Sequence, residues 1–153
     1  MVGGEPSVYE RAKPVLGLYA RSCELIGPAG SGQLTKMVNQ ICVVGVIQGL
    51  AEGLNFGHRA GLDMEKVLSV ISKGAASSWQ MENRWKTMLA GEFEFGFASD
   101  WMHKDLGICL AEAKVNGSRL PVTALIEQFY AQVRSRGGGR WDSSSLINLL
   151  AND

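Results

Sequence analysis

The stretch from Gly30 to Leu54, GSGQLTKMVNQICVVGVIQGLAEGL, decides the fold. Its apolar residues recur at gaps of three and four, which is the spacing of one face of an α-helix. The apolar positions are Leu34, Met37, Ile41, Val44, Ile47, Ala51 and Leu54. The pattern predicts a helix of roughly 24 residues, about 36 Å long at 1.5 Å per residue. The protein is therefore expected to be built on one long helix.

The middle of this helix has an unusual composition. Between Ile41 and Ile47 it is apolar on every side, so we expect that part to be buried all round. Gly45, Gly49 and Gly53 recur every fourth residue. Each glycine costs a helix about 1 kcal/mol, and the close approach of another helix is the expected compensation. That helix belongs either to the same chain or to a second copy, and we predict a dimer or higher homo-oligomer.

Further helices are predicted beyond the long one, because each start carries a residue that satisfies free backbone N–H groups. Counting the long helix as the first, the third helix starts with a capping-box pattern, Ser77 to Gln80. The fourth helix is expected over about Asp100 to Val115. The predicted starts are Asp63, Ser77, Asp100, Pro121 and, for a short last helix, Asp142 or Ser143, with an aromatic loop over residues 92–99. The predicted fold class is all-α.

The first 27 residues differ from the rest. A helix is expected within Val8 to Tyr19, interrupted by Pro14 and ended near Gly17, and a short strand is expected from Cys23 to Ile26. A lone strand cannot satisfy its own backbone groups, so this segment indicates the end of something larger. The predicted domains are residues 1–27, the remnant of a larger domain, and residues 28–153, a helical domain.

Composition and charge argue against several classes of function. Fifteen basic and fifteen acidic residues give a net charge of zero, so no strong field attracts nucleic acid or anionic lipid. The apolar run from Ile41 to Ile47 is too short to cross a bilayer. Three widely spaced cysteines fit a reducing compartment, and the start of the chain does not resemble a signal peptide, so we expect a cytoplasmic protein. His58 and His103 lack partners at metal-ligand spacing, and no metal is expected.

One group of side chains suits chemistry. Lys36 lies one turn into the long helix, with Asn39 and Gln40 three and four residues further on. This spacing places an amine and two amides on neighbouring faces of the helix. An ordinary solvated helix surface explains the same pattern, and it also explains Lys104. Spacing alone therefore leaves the function open.

Four segments occur in the order in which a known enzyme family carries them. They are GSGQLTKMVNQ at 30–40, ISKGAASS at 71–78, KDLGICL at 104–110 and GGGRWD at 137–142. Together they resemble the β-hydroxyacid dehydrogenases, which include 3-hydroxyisobutyrate dehydrogenase and tartronate semialdehyde reductase. The resemblance implies a helical bundle like the C-terminal domain of 6-phosphogluconate dehydrogenase, which carries the substrate site and pairs the subunits. Residues 1–27 resemble the last strand–helix–strand of the family's dinucleotide-binding domain.

The resemblance also implies roles for individual residues. Lys36 is the catalytic acid/base, a role that needs a lysine able to be neutral near physiological pH, which burial in a cleft favours. Asn39 or Gln40 orients the substrate, and Lys104 contacts the cofactor. Many members carry Asn four residues after the lysine, where this chain has Gln40, so the assignment of the amide differs from the usual pattern.

The implied activity is NAD- or NADP-dependent oxidation or reduction of a small 3-hydroxy acid. The dinucleotide-binding fingerprint Gly-x-Gly-x-x-Gly is absent from the 153 residues. We therefore expect that a dinucleotide-binding domain is missing, that the chain alone is inactive, and that it binds no dinucleotide tightly. The alternative is a non-catalytic helical module that descends from such an enzyme and serves only to assemble chains.

Overall fold

Helices make up most of residues 1–150, the part of the chain that the computed structural model describes. The elements are β1 (Val2–Gly3), α1 (Pro6–Leu16), β2 (Leu25–Gly27), α2 (Ser31–Arg59), α3 (Met64–Ile71), α4 (Trp79–Ala90), α5 (Ser99–Asn116), α6 (Pro121–Ser135) and two 3₁₀ segments, Gly138–Arg140 and Ser143–Leu149. This confirms the predicted helical bundle built on one long helix, with a strand–helix–strand segment at its front.

The chain divides into two compact units, Met1–Gln40 and Ile41–Asp153. The division falls within α2, whereas the predicted domain boundary lies between residues 27 and 28. That boundary concerns evolutionary domains and stays a prediction. The last three residues of the predicted helical domain, 151–153, lie outside the described residues.

In the first unit, β1 and β2 form a two-stranded parallel sheet. The backbone N–H of Val2 donates to the Glu24 carbonyl at 3.0 Å, and the N–H of Gly4 donates to the Gly27 carbonyl at 2.9 Å. The predicted strand from Cys23 begins two residues too early. Helix α1 includes Pro14 and ends at Leu16, so the loss of one backbone bond at the proline does not interrupt it. The predicted interruption at Pro14 is therefore wrong.

Helix α2 has 29 residues, more than the roughly 24 predicted, and it includes Gly53 and Gly57. Packing outweighs their low helix propensity. A Cβ at Gly57 would lie only 2.6 Å from the Met64 sulfur, so the glycine allows the start of α3 to approach. The chain then turns away at Gly61, whose φ of +73° favours glycine.

The middle of α2 is not buried on every side, so that expectation is wrong. Val44 and Ile47 are completely buried, but Cys42 is exposed and Val46 is 40% exposed. In addition, no atom lies within 4 Å of a Cβ built at any of the three spaced glycines, Gly45, Gly49 and Gly53. The close helix approach that these glycines predicted is therefore absent from the described chain, and this face of α2 is open.

By length and composition, α2 is the one helix among residues 1–150 that is able to cross a membrane, with a mean hydropathy of 1.4 over 18 residues. The expectation that the chain is too short in apolar residues to cross a bilayer was based on Ile41 to Ile47 alone, which is only part of this helix. Its apolar character has a second explanation, because Val44, Ile47 and Leu54 lie in the cores of the second unit. The core helix of a water-exposed domain meets the same test.

The second unit has two hydrophobic cores. The first joins α2, α3 and α4 and contains Leu50, Ala51, Leu54, Met64, Leu68, Met81, Met88, Phe93 and Ile147. The second joins α2, α5 and α6 and contains Val44, Ile47, Met102, Leu106, Ile126, Tyr130, Val133 and Leu146. Trp141 packs against both. The segment around Trp141 therefore connects the two halves of the bundle.

Local chemistry explains where the shorter helices begin. Asp63 caps α3 by accepting from the Lys66 N–H at 3.2 Å, and Pro121 opens α6, as predicted. Helix α4 begins one residue later than the capping-box pattern implied, because Ser78 accepts from the Met81 N–H at 3.0 Å. The Gln80 amide oxygen has no hydrogen-bond partner. Its predicted capping role is therefore wrong.

Candidate active site

The first turns of α2 bring together the three polar residues that the sequence singled out. Lys36 Nζ donates to Gln40 Oε1 at 2.7 Å, and Asn39 Nδ2 donates to the same oxygen at 2.9 Å. The spacing of four residues makes the Lys36–Gln40 contact possible, whereas Asn39 and Gln40 are neighbours in the chain. One amide oxygen thus holds an amine and a second amide side by side.

Burial separates the three side chains. Gln40 is only 3% exposed, whereas Lys36 and Asn39 are exposed. The Gln40 oxygen is thus occupied by neighbours on its own helix, and Asn39 is the amide that solvent reaches. The burial of Lys36 that a cleft was expected to supply does not occur in this chain.

The Gly-x-Gly segment that opens α2 has a structural reason. A Cβ at Gly32 would lie 3.2 Å from the backbone nitrogen of Gly3, and a Cβ at Gly3 would lie 2.6 Å from the carbonyl of Pro28. The backbones of β1 and the start of α2 therefore approach more closely than side chains allow. This contact sets where α2 begins, and Lys36 lies one turn further along.

Lys104 lies in α5, in the second unit. Its amine is 3.5 Å from an Asp105 carboxylate oxygen and 5.6 Å from the centre of the Trp101 ring. The Lys104 side chain is 58% exposed, and Trp101 is also exposed. A cation beside an exposed aromatic face suits a ligand that carries both negative charge and a flat ring.

Two candidates for other chemistry have structural explanations. His103 Nε2 lies 2.9 Å from Glu127, and Nδ1 lies 3.1 Å from Arg134, so both ring nitrogens face charged side chains. Burial, with the nearby Asp105 carboxylate, raises the pKa of the Cys109 thiol and disfavours the reactive thiolate. Among residues 1–150, no group of three or more His, Cys, Asp or Glu side chains has metal-binding geometry.

Sequence reasoning missed a charged group beside α5. Asp142, expected only as a cap, is buried and lies 3.4 Å from Arg84 Nε. The Arg84 guanidinium also packs over the rings of Trp79, at 4.7 Å, and Phe95, at 5.0 Å. These residues are far apart in the chain, and the one local signal was Gly96, whose position next to the carboxylate leaves no room for a side chain.

Comparison with known proteins gives one family across most of the chain. Residues 30–150 match the family model described as "NAD-binding of NADP-dependent 3-hydroxyisobutyrate dehydrogenase". An uncharacterized oxidoreductase of Shewanella frigidimarina is 63% identical over 98% of this chain and 52% of its own length. The 2-hydroxy-3-oxopropionate reductase of Escherichia coli is 35% identical over 98% of this chain and 51% of its own. The chain thus spans about half the length of the curated relatives it matches.

A solved structure agrees. The 3-hydroxyisobutyrate dehydrogenase of Mycobacterium tuberculosis, determined with L-serine, superposes with a TM-score of 0.88 at 27% identity. The similarity covers 99% of this chain and 54% of that one. The helical arrangement and the strand–helix–strand segment at the front therefore both have counterparts in a solved protein.

Proposed function

The chain belongs to the family described as "NAD-binding of NADP-dependent 3-hydroxyisobutyrate dehydrogenase", and from this premise we propose its part in the reaction. It is the substrate-binding and oligomerising half of an NAD(P)-dependent oxidoreductase that acts on the hydroxyl group of a small 3-hydroxy acid. The observation that carries the proposal is the cluster of Lys36, Asn39 and Gln40 at the start of α2. Relatives named as acting on small hydroxy or oxo acids support the substrate class.

A nicotinamide cofactor, when bound, would supply hydride transfer to or from the substrate carbon. Lys36 takes the proton from the substrate hydroxyl in the oxidation, and it returns a proton to the oxygen in the reduction. Gln40 holds the amine in place at 2.7 Å, and the exposed Asn39 amide orients the substrate. General acid–base catalysis by a positioned side chain contributes about 10²–10⁴-fold.

The proposal requires a partner domain, because Lys36 is exposed in this chain. A dinucleotide-binding domain that covers the start of α2 would exclude water and supply the cofactor. The sheet in the first unit supports this, since a two-stranded parallel sheet seldom stands alone and Ile26 in β2 is exposed. Lys104 contacts the cofactor in this arrangement, with its charge beside the exposed Trp101 ring.

We propose a second copy of the chain as the occupant of the open face of α2. A cavity of about 540 Å³ lies beside this face, and its lining is largely apolar. The open space at Gly45, Gly49 and Gly53 allows another helix backbone to approach, and the same stripe on two copies provides the self-complementary surface that a two-fold dimer needs.

The proposed location of the protein is the cytoplasm, and no binding of the protein to membranes or nucleic acid is proposed.

A second candidate function is a non-catalytic assembly module. The exposure of Lys36 and the open apolar face of α2 favour it, because both are what a chain used only for pairing would show. The two candidates differ in their requirement for Lys36. Pairing does not depend on an amine one turn into α2, whereas catalysis does.

Single substitutions in the enzyme that contains this chain test the leading proposal. We expect Lys36→Ala to lower kcat by about 10²–10⁴-fold while the Kd for the cofactor stays nearly unchanged. Lys104→Ala is expected to weaken cofactor binding more than it lowers kcat. Lys114→Ala is the matched control, because this lysine is exposed on the same helix as Lys104. Normal kcat in Lys36→Ala would show that Lys36 takes no part in the chemical step, and the pairing of chains would remain as the role proposed for this half of the enzyme.

A further inference from the structure

The carboxylate of Asp142 is buried and has several hydrogen-bond partners and one ion-pair partner. It is 2% exposed. Oδ2 accepts from the Phe97 N–H at 2.9 Å, and Oδ1 accepts from the Ser144 N–H at 3.0 Å and the Ser144 hydroxyl at 2.6 Å. Arg84 supplies the opposite charge at 3.4 Å. A buried carboxylate with this many partners ties together three parts of the chain that are distant in sequence.

The loop between α4 and α5 is built around this carboxylate. Gly96 has a φ of +70°, and a Cβ there would collide with Asp142 Oδ2. The backbone adds three bonds across the same contact: Asp142 N–H to the Phe93 carbonyl, Ser143 N–H to the Phe97 carbonyl, and Ser99 N–H to the Trp141 carbonyl, each at 2.8 Å. The loop and the segment around Asp142 are therefore joined by backbone as well as side-chain hydrogen bonds.

Helix α5 begins at the end of this loop and has no side-chain cap. The Ser99 hydroxyl instead donates to the Trp141 carbonyl at 3.1 Å and lies 3.1 Å from the Ser145 hydroxyl. Ser99 is completely buried. The first turn of α5 is thus held by the Asp142 segment, and Lys104 follows five residues later, about 7.5 Å along the helix axis.

We propose that Asp142 and Ser99 are positioning residues for cofactor binding, because they set the direction in which α5 leaves the loop and so the place of Lys104. This inference rests on the proposed function, in which Lys104 contacts NAD or NADP. Neither residue touches the cofactor in this scheme. A small tilt at Ser99 moves Lys104 and Trp101 together, so it weakens the cofactor contact and leaves Lys36 and the chemical step unaffected.

The test uses Ser99→Ala in the enzyme that contains this chain, with Ser69→Ala as the matched control. Ser69 also donates its hydroxyl to a backbone carbonyl, at 2.7 Å, but from an exposed site on α3. We expect Ser99→Ala to raise the KM for the cofactor about threefold to tenfold, the scale of one lost hydrogen bond, with kcat and the substrate KM nearly unchanged. Hydrogen exchange is expected to accelerate over residues 93–104 and to be unchanged elsewhere. Ser69→Ala is expected to change neither measurement.

A purely structural role gives a different result. Loss of folded protein lowers kcat at constant KM, and this outcome, or an unchanged cofactor KM, would overturn the proposal. Asp142→Asn is the second variant, because the amide NH₂ is a donor and would face a backbone N–H, which is also a donor. We expect this variant to raise the cofactor KM more than Ser99→Ala does. Absence of turnover in the unsubstituted enzyme is a separate failure, which overturns the proposed function and this inference with it.

Discussion

Tyr130→Phe tests how the second core is connected to the Asp142 segment. Tyr130 is completely buried, and its hydroxyl donates to the Ser143 carbonyl at 2.8 Å. The substitution removes one oxygen and this hydrogen bond and leaves the ring in place. Because the carbonyl is buried and cannot turn to water, its lost partner is not replaced.

The expected cost is about 1–2 kcal/mol of unfolding free energy, between the net value of an ordinary hydrogen bond and that of a buried group left short of partners. For a chain of this size, each kcal/mol lowers Tm by about 2–4 °C, so Tm should fall by about 2–8 °C. Tyr19→Phe is the matched control. Tyr19 is 75% exposed, and its loss of a hydroxyl should change the free energy by less than about 0.5 kcal/mol.

The effect of this substitution should depend on pH. Burial, with the Asp142 carboxylate nearby, raises the pKa of Tyr130 well above its ordinary value of 10.0. Above pH 10.0 the unfolded state therefore releases this proton before the folded state does, and stability falls as pH rises. Phenylalanine has no proton to release. The difference in stability between wild type and Tyr130→Phe should thus be constant below pH 10.0 and shrink above it.

Urea denaturation followed by circular dichroism measures these free energies. An unchanged slope with a lower midpoint would show that stability changed and the compactness of the unfolded state did not. Equal effects of Tyr130→Phe and Tyr19→Phe, or a difference that widens in alkali, would refute the assignment of the Tyr130 hydrogen bond.

Two further predictions concern binding and assembly. The 153-residue chain alone should show no tight binding of NADH or NADPH by calorimetry, because it lacks the phosphate-binding turn that supplies much of the affinity; low-micromolar affinity would contradict this. Gly49→Leu should convert an oligomer to monomer in light scattering without unfolding it, since the space beside Gly49 is open within the chain but is needed by the second copy. Gly107→Leu, equally open and on α5, is the control and should leave the mass unchanged. A monomeric wild type at all concentrations would contradict the assembly proposal.

The features that were predicted correctly depend on neighbours in sequence. The Asp63 side chain accepts a hydrogen bond from a backbone N–H in the first turn of α3, and Pro121 has no N–H that needs a partner at the start of α6. Both helices therefore begin where the sequence indicates. The end of α2 was misplaced because Gly57 packs against Met64, a tertiary contact that outweighs propensity. The regular spacing of Gly45, Gly49 and Gly53 was visible in the sequence, but within the described chain no other helix packs closely against these glycines.

In the candidate site, too, features set by neighbours in sequence were predictable, and features set by tertiary packing were not. The proximity of Lys36, Asn39 and Gln40 follows from helical spacing, while their chemical roles come from the family resemblance. Spacing did not show that Gln40 is buried and Lys36 exposed, because exposure depends on what packs against the helix. The partners of Asp142 were not predictable, since Phe97 and Arg84 lie 45 and 58 residues away in sequence.

The acid/base role of Lys36 is the central claim, and the kcat of Lys36→Arg tests it most directly. Arginine keeps the positive charge and the reach toward Gln40, but guanidinium does not release its proton near neutral pH. Measured in the enzyme that contains this chain, with saturating cofactor and substrate, kcat should fall by about 10²-fold or more. A near-normal kcat would show that the lysine is only an electrostatic anchor and would contradict its role in proton transfer.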